Sequence, residues 1–167
     1  MELIKAPNGW YCPDDPGELG IGGQRWSVSN HEGEFLSRIF KGLRVLEIGT
    51  GLGVSTNMIA KRAEIVYTVD IDVWVIDNIA PKLADNVRFY REIDNVPHGL
   101  DGAFIDGLHS TEQCLIDINK AKTIVKQGGI IVLHDAKMEA VLNAALESGI
   151  LFYEIVTGAG LALGWNE

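Results

Sequence analysis

The chain has 167 residues, 47% hydrophobic and 22% charged, which suits one globular domain with a substantial core. Lys+Arg number 14 against 23 Asp+Glu, a net charge of −9, and no basic run is present, so a polyanionic partner such as nucleic acid is excluded in favour of a small, preferably cationic ligand. No apolar run approaches the roughly 18 residues of a membrane span, MELIKAPNGW lacks the basic-then-apolar pattern of a secretory signal, and Cys12 and Cys114 are too few for a disulfide framework; a reduced, cytoplasmic protein is expected.

Residues 1–28 are broken by Pro7, Pro13, Pro16 and scattered glycines, so no hydrophobic period is sustained. Trp10, Tyr11 and Trp26 sit among these breakers. A polar disordered tail would not carry them, so 1–28 is expected to form an arm that packs as a lid on a domain spanning 29–167. Ser29 and Glu32 make a capping box, Phe35, Leu36, Ile39 and Phe40 recur at helical spacing, and Gly42 closes the helix.

From there the pattern alternates. Strands are expected at 44–49, 65–70, 87–91, 102–106 and 129–134, separated by helical segments, which is the signature of an α/β fold with a parallel sheet covered on both faces. A second capping box, Ser110 with Gln113, opens a helix carrying Leu115, Ile118, Lys122 and Val125 up to Gly128. Met138, Val141, Leu142, Ala145 and Leu146 keep a 3.6-residue period up to Gly149. The runs 151–157 and 160–165 are joined at Gly158 by a turn too short for a crossover, so they form an antiparallel hairpin and bring the strands to seven.

Four strand ends carry chemistry. Glu47-Ile48-Gly49-Thr50-Gly51-Leu52-Gly53 leaves a strand for a helix, with glycines that let backbone amides approach a ligand. A dinucleotide fingerprint starting at Gly49 would need Gly or Ala at Val54, which disfavours a nicotinamide-dependent oxidoreductase. Asp70 ends the second strand and faces the same crevice, where a carboxylate can accept both hydroxyls of a ribose; Asp72 is better suited to cap the next helix. Asp106 and His109 follow the fourth strand, and His134 and Asp135 the fifth. One reading makes Asp106, Asp135 and His134 a divalent-metal site with His109 as general base; the other leaves both carboxylates capping loops and His109 in solvent.

Together, VLEIGTGLGVST (45–56), YTVDID (67–72), AFIDGLHS (103–110) and GGIIVLHDA (128–136) resemble the class I S-adenosylmethionine (SAM)-dependent methyltransferases. Within them the sequence is similar to small O-methyltransferases that include sugar and antibiotic-tailoring enzymes, from about residue 29 to 165. The resemblance implies a Rossmann-like seven-stranded sheet of order 3-2-1-4-5-7-6 with strand seven antiparallel. It assigns Glu47, Gly49, Gly51 and Gly53 to the methionine part of SAM and Asp70 to its ribose, with Thr50 and Asp106 also on the cofactor side. In metal-dependent relatives, residues matching Asp106, His134 and Asp135 bind Mg²⁺, and a basic residue in the place of His109 takes the proton. Position 134 is usually acidic in them; His134 departs from this and tilts the choice toward Mn²⁺. The expected function is methylation of a hydroxyl on a small molecule, with a non-catalytic SAM-fold binding protein as the alternative. Neither the acceptor nor the oligomeric state follows from the sequence.

Overall fold

The computed structural model describes residues 28–167, so the expected arm, with Trp10, Tyr11, Cys12 and Trp26, lies outside the described residues except for Val28, which is buried. The first helix, α1 (Asn30–Ile39), starts as its sequence predicts. Ser29 Oγ accepts the Glu32 N–H at 3.2 Å, and the Glu32 carboxylate accepts the Ser29 N–H at 2.7 Å. There follow β1 (Arg44–Ile48), α2 (Val54–Ala60), β2 (Ile65–Val69), α3 (Val73–Asn78), β3 (Val87–Tyr90) and β4 (Leu100–Ile105). The chain ends with α4 (Thr111–Ile124), β5 (Val125–His134), α5 (Glu139–Glu147), β6 (Tyr153–Ile155) and β7 (Leu161–Trp165).

The seven strands form one sheet in the order β3-β2-β1-β4-β5-β7-β6, parallel except that β7 runs antiparallel to both its neighbours. Adjacent residues of each central strand point to opposite faces. Val45, Val66, Phe104 and Val132 meet Leu36 of α1, Phe40 just past its end, and Val54 and Ile59 of α2. Leu46, Ala103, Ile105, Ile131 and Leu133 meet Cys114 and Ile118 of α4 and Val141 and Ala144 of α5. Burial on both faces explains why these strands read as continuous apolar runs. No helix among the described residues is long and apolar enough to cross a membrane.

Four local details differ from the sequence reading. β5 begins at Val125, directly after α4, so Val125 and Gly128 belong to a strand; Gly128 has φ +75°, and the β4–β5 register shifts between Leu100 and Gly102. Ser110 Oγ accepts the Gln113 N–H, but the Gln113 amide donates to Asp117 Oδ1 at 2.8 Å, so only half of the second capping box forms. On α5, Val141, Ala144 and Ala145 are buried, whereas Leu142 and Leu146 are 50% and 72% exposed. The inward stripe of α5 is therefore narrower than its apolar period. Between β3 and β4 the chain crosses with a 3₁₀ turn, Ile93–Asn95, in place of a full helix.

Candidate functional site

The strand order sets β2, β1, β4 and β5 side by side, with Ile48 level with Val69 and Ile105, and Ile105 level with Leu133. Asp70, Gly49, Asp106 and the His134–Asp135 pair therefore lie in a row at the carboxyl ends of adjacent strands, where open α/β sheets hold ligands.

The glycines of the turn after β1 do different work. A Cβ on Gly49, at φ +95°, would stand 2.2 Å from the backbone O of Asp106, so only glycine lets the ends of β1 and β4 come this close. Gly51, at φ +50°, has nothing within 4 Å of where its Cβ would be; its outward side is open space. Its N–H donates to Asp70 Oδ2 at 2.9 Å, and the Asp72 N–H donates to Asp70 Oδ1 at 3.0 Å. These two bonds orient the Asp70 carboxylate while each oxygen keeps accepting capacity. Asp72 caps α3 by accepting the Trp74 N–H.

Glu47 lies beneath this turn. It is fully buried, and Ser55, Thr56 and Thr68 donate their hydroxyls to it at 2.6, 2.5 and 2.7 Å; Thr50 reaches the same group through Thr68 at 2.6 Å. Glu47 and Thr50 thus lie under the glycine turn, as struts that tie β1, β2 and α2 together. Burial pushes the Glu47 carboxyl up to about 7 even against those three donors.

A stability test follows from this. Glu47 holds its proton in the folded state up to about pH 7, whereas an unfolded carboxyl releases it near 4.5. Its contribution is present below 4.5, falls as pH rises toward 7 and is lost above it, a swing on the order of 3 kcal/mol. Glu47→Gln should remove that slope in denaturant titrations across the window. Glu47→Ala should cost about 1–3 kcal/mol at low pH by leaving the buried hydroxyls without their acceptor. Parallel pH profiles for wild type and the Gln variant would contradict this account.

The second cluster stands on the β4 and β5 ends. His134 Nδ1 lies 3.2 Å from both Asp106 Oδ1 and Asp135 Oδ2; His109 Nε2 lies 3.0 Å from Asp135 Oδ2 and 3.4 Å from Asp106 Oδ1. On the far side of its ring, His134 Nε2 is 3.7 Å from Glu32 Oε2. Asp135 adopts φ +53°, the one non-glycine with positive φ among the described residues, and this left-handed turn brings its carboxylate back beside His134. Hydrogen bonds to Asp106 and Asp135 raise His109 to about 9 although burial opposes them. Burial works against the charged form of His134 too, but Asp106, Asp135 and Glu32 outweigh it and push the ring up to about 12. For Asp106, Asp135 and Glu32, burial would raise the carboxyls, and the histidine contacts (with Thr157 and Ser29 at Glu32) hold all three below the usual carboxylate range. Three carboxylates thus face two imidazole rings.

Asp106, His134 and Asp135 each offer one ligand atom, all within 4.8 Å of one another. The 3.2 Å separations match adjacent corners of an octahedron with bonds of about 2.1 Å, whose edge is about 3 Å. One imidazole nitrogen with two carboxylates is a donor set suited to Mn²⁺ or a similar divalent cation, so the residues present fit such an ion. His109 stands beside this trio, in contact with both carboxylates. Glu32 is the residue that sequence reasoning missed. Its capping-box position explained it completely, and nothing in the local pattern signals that its carboxylate also turns toward the end of β5.

The fold recurs widely. The cofactor-bound protein Rv0187 from MTB superposes with a TM-score of 0.68 at 24% identity, over 84% of this chain and 82% of that one. The O-methyltransferase TomG from Streptomyces achromogenes, involved in tomaymycin synthesis and solved with SAM, gives 0.67 at 17% identity, covering 83% and 81%. The tRNA (m1A58) methyltransferase TrmI from Aquifex aeolicus gives 0.66 at 18%, covering 83% and 69%. At these identities the likeness is one of fold. The family described as "Methyltransferase domain" matches residues 46–136, more than half the chain, from the first strand through the glycine turn, Asp70 and Asp106 to Asp135. Sheet order and sequence thus agree, and the chain belongs to the methyltransferase domain family.

Proposed function

We propose that the protein is a SAM-dependent O-methyltransferase acting on a small hydroxylated molecule with the help of a divalent cation. The observation that carries this reading is the juxtaposition of two unlike surfaces on neighbouring strand ends. One is an open glycine face beside an oriented carboxylate (Gly51, Asp70); the other is the Asp106–His109–His134–Asp135 cluster. SAM, when bound, supplies a methyl already activated on a sulfonium, so the protein's task is chiefly alignment. Gly49, Gly51 and Gly53 would seat its methionine part, Asp70 its ribose, and Glu47 and Thr50 would hold the turn in shape from below, with Asp106 at the border of both surfaces. Asp106, His134 and Asp135 would hold a divalent cation, which when bound would supply Lewis acidity that favours an ionised acceptor hydroxyl.

His109 would take the acceptor proton as general base. Between two carboxylates it is protonated at neutral pH, and it gains basic form as pH rises toward about 9 or as those carboxylates are neutralised. That TomG is an O-methyltransferase supports the choice of oxygen as acceptor; the net charge of −9 supports a small acceptor over a nucleic acid. Transfer of labelled methyl from SAM, screened over sugars, catechols and hydroxylated polyketides, tests the reading. Methyl incorporation into a hydroxyl is expected; incorporation only into an amine or an RNA would overturn the choice of acceptor, and none at all would favour the non-catalytic binding protein.

The arm at 1–28 is proposed as a lid over the site in the 29–167 domain, on the strength of its aromatics. Lid ordering would exclude water from the transfer. Hydrogen exchange in residues 8–28 should slow when SAM is added; unchanged exchange would contradict it.

A further inference from the structure

His134 is pinned on three sides. Nδ1 faces Asp106 and Asp135 at 3.2 Å, the ring packs edge-on against Phe104 with centroids 6.1 Å apart, and Nε2 is buried with no hydrogen-bond partner among the described residues. The charged group opposite Nε2 is the Glu32 carboxylate, 3.7 Å away and itself fully buried. Glu32 is fixed from two further directions. Oε2 accepts the Ser29 N–H at 2.7 Å, and Oε1 accepts the Ala159 N–H of the β6–β7 turn at 3.3 Å. A helix N-terminus needs only one of these contacts; the carboxylate is held as if its direction mattered.

We propose that Glu32 is a positioning residue for His134, acting from α1 to keep the ring proton on Nε2 and so present the Nδ1 lone pair between Asp106 and Asp135. This rests on the metal reading above. A ligating imidazole must be neutral at the ligating nitrogen, so its proton has to sit on the other one. At His134 that nitrogen is buried, where an N–H with no compensating charge nearby is costly. Glu32 stands beside that nitrogen at 3.7 Å, in charge contact though beyond hydrogen-bond length, so its negative charge favours the proton on Nε2 and makes the ring a stronger donor, as carboxylates behind ligating histidines do. A histidine thereby serves at a strand end where an acid would need no such support, and α1 and the β6–β7 turn become part of the site.

The test is Mn²⁺ binding by electron paramagnetic resonance to the whole chain, wild type against Glu32→Gln and Glu34→Gln. Glu32→Gln should bind Mn²⁺ about 10–100-fold more weakly. Glu34→Gln, which removes an exposed carboxylate of the same helix that pairs with Arg38 and Arg62, should bind as wild type does. Long-range ¹H–¹⁵N spectra of the zinc-loaded wild type supply a reading that needs no variant: the His134 proton should be on Nε2. Undiminished Mn²⁺ affinity in Glu32→Gln, or a His134 proton on Nδ1, would overturn the role of Glu32 and leave the metal site standing. Wild type without measurable Mn²⁺ or Zn²⁺ binding would overturn the metal reading itself, and this role with it.

Discussion

Gly51→Val should yield a folded protein that no longer binds SAM, while Gly49→Ala should damage the fold itself. The two glycines stand two residues apart in one turn, and both have positive φ. Their surroundings differ completely. A Cβ at Gly51 meets nothing within 4 Å, so the cost to the free protein is the left-handed backbone, about 1–2 kcal/mol, somewhat more for a β-branched residue. That side chain would occupy the space proposed for the ligand, and affinity should drop at least about 100-fold, from a micromolar start to undetectable. At Gly49 the new Cβ would press to 2.2 Å from the Asp106 carbonyl oxygen, backbone against backbone, with no rotamer to relieve it. Adding overpacking to the left-handed strain gives a loss on the order of 3–5 kcal/mol, a large part of a typical domain's stability. Thermal unfolding and calorimetry on both variants separate the effects. A Gly51→Val protein that binds SAM normally would remove the turn from the cofactor site.

The other large effect concerns the cluster. Asp106→Asn and Asp135→Asn should keep SAM affinity within a few-fold but reduce methyl transfer by about 10³-fold or more, since several kcal/mol of charge stabilisation go with the cation. Excess chelator should do the same to wild type, with recovery on adding Mg²⁺ or Mn²⁺. His109→Ala should cost roughly 10²–10⁴ in rate. The pH dependence has a definite sign. While His109 is mostly protonated, both its free-base fraction and the ionised acceptor grow with pH, so the ratio of wild type to variant stays level. Above the His109 value of about 9 the wild type levels off while the variant keeps rising, and the ratio shrinks. A bound cation, by offsetting Asp106 and Asp135, should move that break to lower pH. Full activity in excess chelator would end the metal reading and reassign Asp106 and Asp135 to hydrogen bonding with the acceptor.

Much of this architecture is legible in the sequence because it is written locally. Ser29 and Glu32 cap a helix three residues apart, five apolar runs with helical spacers dictate a covered parallel sheet, and the short turn at Gly158 forces the antiparallel β7. The juxtaposition of Asp70, Asp106, His134 and Asp135 is legible for the same reason: each lies at a strand end, and the topology brings those ends together. What the sequence does not show is direction. Glu47 precedes a glycine turn and invites the role of ligand contact, but the alternation along β1 turns its side chain under the turn, onto the hydroxyls of Ser55, Thr56 and Thr68. Leu142 and Leu146 keep a helical period yet face outward, because α5 packs through its alanines. Glu32 and His134 are 102 positions apart, and only the packing of α1 over β5 discloses their meeting.

The most direct test of the central claim is calorimetric titration of the full chain with SAM and, separately, with NAD. The open Gly51 face beside Asp70, with Val54 where a dinucleotide turn needs Gly or Ala, predicts saturable binding of SAM in the micromolar range and none of NAD. Clear binding of NAD with no heat from SAM would contradict it.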